Sequence, residues 1–259
     1  MKPGKVEKYI IERIGENGAL LFILIDPCDY RGEKEAVNTA KNAYEGGADV
    51  ILVGGSIGAQ GELLDNVVKG IKDCVSVPVV LFPGNIGTVS KYADAVYFMS
   101  LLNSRNAYWI TGAQALAAHA VKKLGIEPLP VGYVLIHPGG TAGWVGDVNL
   151  VPRDKPDIAA SLALAADCCG FRFLVTDCGS APATGPMSVE MVRAVREATS
   201  AVYIVGGGIR TPKQAREITN AGADAIQVGT AVEKVSDVVG VVKALSKAVR
   251  EGARSRKIK

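Results

Sequence analysis

Val205-Gly206-Gly207-Gly208-Ile209-Arg210 and, further on, Gly222-Ala223-Asp224-Ala225-Ile226-Gln227-Val228-Gly229-Thr230 each close a short apolar run on a glycine turn. Glycine lets the backbone approach an anion with no Cβ in the way, and the N–H groups that open the following helix point at the charge. Two such turns in succession, at the spacing of consecutive βα units, read as a phosphate cradle after strands seven and eight of an eight-stranded α/β barrel, where that fold keeps its phosphate site. The expected fold is therefore α/β, a (β/α)8 TIM-type barrel, with residues 1–259 forming one domain.

Working outward, apolar runs ending near Ile25, Val53, Leu81, Phe98, Ile136, Val175, Val205 and Val228 are each followed by glycine or polar residues and then by a helical pattern. Helical stretches are expected near Lys34 to Glu45, Leu63 to Asp73, Gly112 to Leu124, Asp157 to Cys169, Ser188 to Thr199, Pro212 to Ala221 and Val235 to Arg250. Before the first strand, Val6, Tyr9, Ile10 and Ile14 share one face of an additional helix able to plug the barrel's N-terminal end. Ala48-Asp49-Val50-Ile51-Leu52-Val53-Gly54-Gly55 echoes Ala223 to Gly229, as repeated βα units do.

Composition agrees. The 259 residues are 48% hydrophobic but only 6% aromatic, which suits Val/Ile-rich parallel strands covered on both faces. A net charge of +3 with no aromatic stacking platform gives no reason to expect a nucleic-acid partner. The absence of a long uncharged apolar run or a signal-peptide pattern points to the cytoplasm. Five cysteines without paired ligand spacing read as free thiols. Lys243, Lys247, Arg250, Arg254, Arg256, Lys257 and Lys259 make a basic C-terminal end, read first as a solvated tail and second as a peripheral membrane contact.

Polar residues gather at strand ends. Asp26 follows the first strand, Ser56 the second, Asn85 the third and Ser100 to Asn106 the fourth. Asp26 with Ser56 suits Mg²⁺, which takes hard oxygen ligands; equally, Asp26-Pro27 reads as an Asx turn. His137 follows the fifth strand, within reach of a substrate or incidental to it, and His119 is structural on a helix. No base stands beside Cys28 or Cys178 to activate a thiol.

Longer motifs carry a resemblance. Leu81-Phe82-Pro83-Gly84-Asn85, Ala93 to Asn106 with its Met99-Ser100-Leu101-Leu102-Asn103-Ser104 block, Tyr108 to Gln114, Gly132 to Thr141 and Trp144-Val145-Gly146-Asp147 resemble the archaeal geranylgeranylglyceryl phosphate synthases, in particular their larger second group. The resemblance covers nearly the whole chain. It implies a Mg²⁺-dependent prenyl transfer from geranylgeranyl diphosphate to the C3 hydroxyl of sn-glycerol 1-phosphate. Carried over, it places Mg²⁺ at Asp26 and Ser56, and the acceptor at Val175, Thr176, Asp177, Cys178, Gly179, Ser180 and Ala181 together with Gly207, Gly208, Gly229 and Thr230. Asp177 is the candidate catalytic base.

This chain also departs from the family's pattern. Val175-Thr176-Asp177-Cys178-Gly179-Ser180-Ala181 stands where Tyr-Leu-Glu-Ala-Gly-Ser-Gly is usual, so the acid is shorter, a tyrosine is lost and Ala181 has less φ freedom than glycine. Asp26-Pro27-Cys28-Asp29 replaces Asp-Pro-Asp-Lys and lacks the lysine expected near phosphate, with Arg210 or Arg172 as compensating cations. A prenyl groove would draw on Phe98, Met99, Leu101, Leu102, Tyr108, Trp109, Tyr133 and Trp144, and a homo-oligomer is expected, with Trp144 as groove wall or subunit anchor. A phosphosugar isomerase and a noncatalytic ligand-binding barrel are the alternatives.

Overall fold

A computed structural model describes residues 2–233 and 235–256. Helix α1 (Lys5–Asn17) precedes β1 (Leu20–Ile25). There follow α2 (Glu33–Glu45), β2 (Val50–Val53), α3 (Gly61–Lys72), β3 (Val79–Leu81), β4 (Ala95–Leu101), α4 (Ala113–Leu124) and β5 (Glu127–Leu135). The chain continues through α5 (Gly140–Val145), α6 (Pro156–Cys168), β6 (Phe173–Asp177), α7 (Val189–Ala198), β7 (Val202–Gly206), α8 (Pro212–Ala221), β8 (Ala225–Val228) and α9 (Val238–Arg254). All eight strands are parallel and close in sequence order, with β1 pairing β8.

Strand alternation sorts the core into two layers. Leu20, Phe22, Val50, Leu52, Val80, Tyr97, Val131, Tyr133, Phe173, Val175 and Ile204 fill the barrel. Leu21, Ile23, Ile51, Val53, Leu174, Tyr203, Val205 and Ile226 pack outward under the helices. As expected, α1 closes the bottom: Val6 and Ile10 join the inner layer, and Glu127 accepts the N–H groups of Val6 and Glu7 at 2.8 and 3.0 Å.

The sequence reading expected a helical pattern after every strand but located no helical stretch between Leu81 and Phe98, and there the βα alternation breaks. Among the described residues no helix lies between β3 and β4. Thr88 and Ser90 sit buried in that connection. Val121 is the one buried residue of α4. The missing helix therefore opens a channel between the barrel wall and α4.

The echo of Ala48-Asp49 in Ala223-Asp224 is a device of the barrel's bottom rim. Asp49, Asp94 and Asp224, each just before a strand, accept the N–H of Leu21, Val79 and Tyr203 on the neighbouring strand at 2.9, 2.8 and 2.9 Å. Each also holds a cation: Arg250 on Asp49, Lys72 on Asp94, and Arg196 with Arg256 on Asp224. Arg250 and Arg256 are thus structural rather than solvated, while Lys257 and Lys259 lie outside the described residues.

Candidate active site

The C-terminal strand ends open into one cavity of about 1570 Å³, counted with its open mouth. Its polar side is built by the loops after β1, β2, β6, β7 and β8 and includes Asp26, Asp29, Ser56, Asp177, Gly179, Ser180, Ala181, Gly207, Gly208, Arg210, Gln227, Gly229 and Thr230. Its apolar arm runs into the channel left by the missing helix, between Ile86, Val89, Val96, Phe98 and Met99 on one wall and Trp109, Ala113, Ala117 and Val121 on the other. Phe82 stacks edge-on against Tyr97 and Tyr133, with ring centroids 5.4 and 5.6 Å apart, and forms the floor where the two parts meet.

Of the two readings of Asp26, the turn is the one observed. Its Oδ1 accepts the Cys28 N–H at 3.0 Å and caps the 3-10 turn Pro27–Asp29, an Asx turn. The same carboxylate lies against the backbone beside Ser56, since a Cβ on Gly55 would stand 2.2 Å from Oδ2. Burial, reinforced by Asp29, lifts its carboxyl to about 6. Among the described residues no lysine or arginine contacts it. A half-buried carboxylate without a basic partner, with Asp29 and Ser56 lining the same cavity, would give a divalent cation few protein ligands and leave most of its shell to water or phosphate oxygens.

Asp177 ends β6 pointing into the barrel. Its Oδ1 accepts the Gly179 N–H at 2.6 Å, its Oδ2 accepts Gln227 Nε2 at 2.9 Å, and the Tyr133 hydroxyl donates to it as well. Burial nevertheless holds its carboxyl above the usual aspartate range. Three donors orient a carboxylate that has room for a fourth, so one acceptor site remains for a ligand.

The β6 segment divides by alternation. Asp177, Gly179, Ser180 and Ala181 line the cavity, whereas the side chains of Val175, Thr176 and Cys178 do not. Val175 is packed inside the barrel, Thr176 shares a 2.8 Å hydrogen bond with Tyr203 in the outer layer, and Cys178 is buried there with its thiol pushed up to about 12. Ala181 adopts φ 45°, a left-handed conformation that glycine takes without strain. Arg210 lines the mouth, but Arg172 pairs with Glu7 at the opposite end and is no substitute for a phosphate lysine.

The glycine turns work differently from the sequence reading. The N-terminus of α8 is closed by a capping box between Thr211 and Gln214, whose side chain also takes the Arg210 N–H. Asp237 caps α9. These caps take part of each helix's first-turn N–H groups, and Gly207, Gly208, Gly229 and Thr230 line the cavity. Gly206 and Gly207 are required by packing, because a Cβ on either would stand 2.6–2.7 Å from Asp177 or Gln227 side-chain atoms. Gly229 has no neighbour nearer than 3.5 Å to such a Cβ, and its open face is the cavity.

Of the residues expected in a prenyl groove, Phe98, Met99, Leu101, Trp109 and Tyr133 line the cavity; Leu102, Tyr108 and Trp144 do not. Trp144 is 80% exposed, and His137 and His119 are exposed too. The Met99-Ser100-Leu101-Leu102-Asn103-Ser104 block is largely a stitch. Asn103 bonds both the N–H and the C=O of Leu135, and Ser104 Oγ donates to Gly146 O at 2.6 Å, tying the loop after β4 to the loop after β5. Two residues escaped the sequence reading. Gln227 was a polar break in a buried apolar run, a signal that could have found it. Arg153 carried none; it clamps the β6 loop through the carbonyls of Gly185 and Pro186.

A closed parallel barrel with acidic and glycine-rich strand ends around a cavity defines a (β/α)8 enzyme for a phosphorylated ligand. The sequence profile of the PcrB family matches residues 15–249, and the chain belongs to that family. It is 51% identical to the geranylgeranylglyceryl phosphate synthase of Pyrococcus horikoshii over 97% of this chain and 98% of that one. The enzyme of the same name from Thermococcus kodakarensis is 52% identical over 92% of this chain and 93% of its own. Among solved structures, the Thermoplasma acidophilum (S)-3-O-geranylgeranylglyceryl phosphate synthase in complex with its substrate sn-glycerol-1-phosphate superposes with a TM-score of 0.90. It is 35% identical, covering 96% of this chain and 100% of that one.

Proposed function

We infer that this protein is a geranylgeranylglyceryl phosphate synthase, a prenyltransferase of lipid biosynthesis that joins geranylgeranyl diphosphate to sn-glycerol 1-phosphate. The observation that carries the reading is one cavity with a polar acceptor end and a long apolar arm, in a chain half identical to synthases of that name. A phosphosugar isomerase has no use for the arm.

The acceptor's phosphate sits against the turns at Gly207, Gly208, Gly229 and Thr230, with Arg210 at the rim. Its C3 hydroxyl points to Asp177. The hydroxyl oxygen bonds to C1 of the prenyl chain, the C1–O bond to diphosphate breaks with its electron pair leaving on diphosphate, and the hydroxyl proton passes to Asp177. The apolar arm takes the prenyl tail and keeps water from the allylic centre. Asp26 and Ser56 would hold Mg²⁺, which when bound neutralises charge on the leaving diphosphate.

The protein forms a homo-oligomer through the exposed apolar residues Trp144, Leu116 and Leu164; a sharp monomer mass in solution would contradict this. Membrane contact through the basic C-terminal end is weakened as a proposal, since Arg250 and Arg256 are engaged in ion pairs at the barrel's bottom, away from the cavity. No helix among the described residues is long and apolar enough to cross a membrane. The direct test incubates purified protein with radiolabelled sn-glycerol 1-phosphate and geranylgeranyl diphosphate, with and without Mg²⁺. Labelled lipid-extractable product is expected only with the metal; its absence under all conditions sinks the transferase reading.

A further inference from the structure

We propose that Gln227 determines acceptor specificity by reading the second hydroxyl of the glycerol phosphate through a side-chain carbonyl that Asp177 holds in place. The proposal rests on the transferase reading above. In β8, Ala225 and Gln227 point into the barrel while Ile226 and Val228 point out. A glutamine in that inner layer is costly unless its amide is bonded. Half of it is: Nε2 donates to Asp177 Oδ2 at 2.9 Å. A carboxylate only accepts, so the amide orientation is fixed and Oε1 must face elsewhere. That oxygen is buried without a partner, on a side chain 4% exposed that lines the cavity.

The pair is also locked from behind. A Cβ on Gly206 would stand 2.6 Å from Gln227 Nε2 and 2.7 Å from Asp177 Oδ2, so β7 leaves the two side chains no slack and nothing wider than a hydrogen fits there. Both side chains line the same cavity and touch each other, so the remaining acceptor site on Asp177 and the Gln227 carbonyl lie side by side. Adjacent hydroxyls on a three-carbon chain match them, the reacting hydroxyl on Asp177 and its neighbour donating to Gln227 Oε1. The phosphate turn at Gly229 lies two residues further along the same strand, about 7 Å of backbone, the scale of a three-carbon phosphate ester. The rival occupant is a buried water on the Gln227 carbonyl; the Tyr97 hydroxyl is likewise buried without a partner.

The experiment compares kcat/KM for sn-glycerol 1-phosphate and for 3-hydroxypropyl phosphate, which lacks the middle hydroxyl, with geranylgeranyl diphosphate as donor. It does so in the wild type and in Gln227→Met. The wild type should prefer glycerol phosphate by about tenfold or more, because the shorter analogue leaves the carbonyl unpaired. Gln227→Met should bring the preference to within about threefold, its loss falling mainly on glycerol phosphate. Any disorientation of Asp177 acts on both acceptors and cancels in the ratio. Gln227→Leu supplies the same ratio if the methionine variant does not fold. Turnover in the wild type with no preference, or a preference that survives loss of the amide, overturns the role of Gln227 and leaves the carbonyl to water. No labelled lipid from either acceptor in the wild type overturns the transferase reading instead.

Discussion

The two ends of the barrel hold carboxylates in opposite ways. At the bottom, Asp49, Asp94 and Asp224 each accept a strand N–H and each carry one or more lysine or arginine partners. At the mouth, Asp177 is buried and Asp26 half-buried, with backbone or neutral side-chain donors alone; burial pushes both above the ordinary carboxylate range, as it does Asp49 at the bottom. The same residue type is thus paired with cations at one rim and with neutral donors alone at the other. Conserving free energy would favour closing the mouth with cations; leaving it open reserves those charges for a ligand.

The sharpest way to break the comparison is Asp177→Asn, which keeps the shape and removes the base. Product formation should fall by about 10²- to 10⁴-fold, with a loss of thermal stability of about 1–3 kcal/mol because the amide nitrogen replaces an oxygen that accepts from Gln227 or Gly179. In the wild type the base must be ionised, so the acid limb of kcat/KM should lie above the pH at which an ordinary aspartate titrates. A wild-type acid limb at ordinary aspartate pH, or a mutant that keeps its rate, would remove Asp177 from the chemistry.

The bottom rim should respond in the opposite sense. Asp224→Ala leaves Arg196 and Arg256 without their carboxylate and the Tyr203 N–H without an acceptor. The expected loss is about 3 kcal/mol of stability, read as a lower denaturation midpoint, while kcat per folded molecule stays near wild type. A stable but inactive Asp224→Ala would show that the two rims are not separable.

Much of this contrast was legible in the residues, unevenly. Strand ends were marked because buried apolar runs stop at glycine or a polar residue, and the barrel follows from eight such stops. The repeated Ala-Asp before strands was visible as an echo, yet its meaning depends on arginines such as Arg250 and Arg256 that are distant in sequence and meet the aspartates only in three dimensions. Glycines misled in part: those at 206 and 207 are fixed by side chains packed against them, an interaction between neighbouring strands that a local motif does not encode. The missing helix after β3 was likewise present in the sequence as an absence, and it decides where the apolar arm runs.

Asp26 sharpens the comparison with a smaller effect. Its folded carboxyl titrates near 6, above the unfolded value, so its favourable contribution is present at low pH and lost as pH rises through 6. Asp26→Asn keeps the group neutral throughout. It should raise stability at pH 7 to 8 by about 1 kcal/mol, after discounting for partial solvent screening, and the gain should vanish near pH 4. Mg²⁺-dependent turnover should fall in the same variant. An unchanged melting temperature at both pH values would mean that Asp26 is not held at a cost.

The smallest effect tests whether the mouth stores backbone strain as well as charge. Ala181, exposed at the cavity edge, holds φ 45° in a loop that Arg153 pins through Gly185 and Pro186. Glycine relieves the steric cost of that conformation but adds freedom to the unfolded chain. The balance should favour Ala181→Gly by about 0.5 kcal/mol, a shift in melting temperature of a degree or two. If the loop is strained in order to present Ser180, glycine should raise KM for the acceptor while stabilising the fold; a gain in stability with KM unchanged would make the strain incidental, and charge alone would distinguish the two rims.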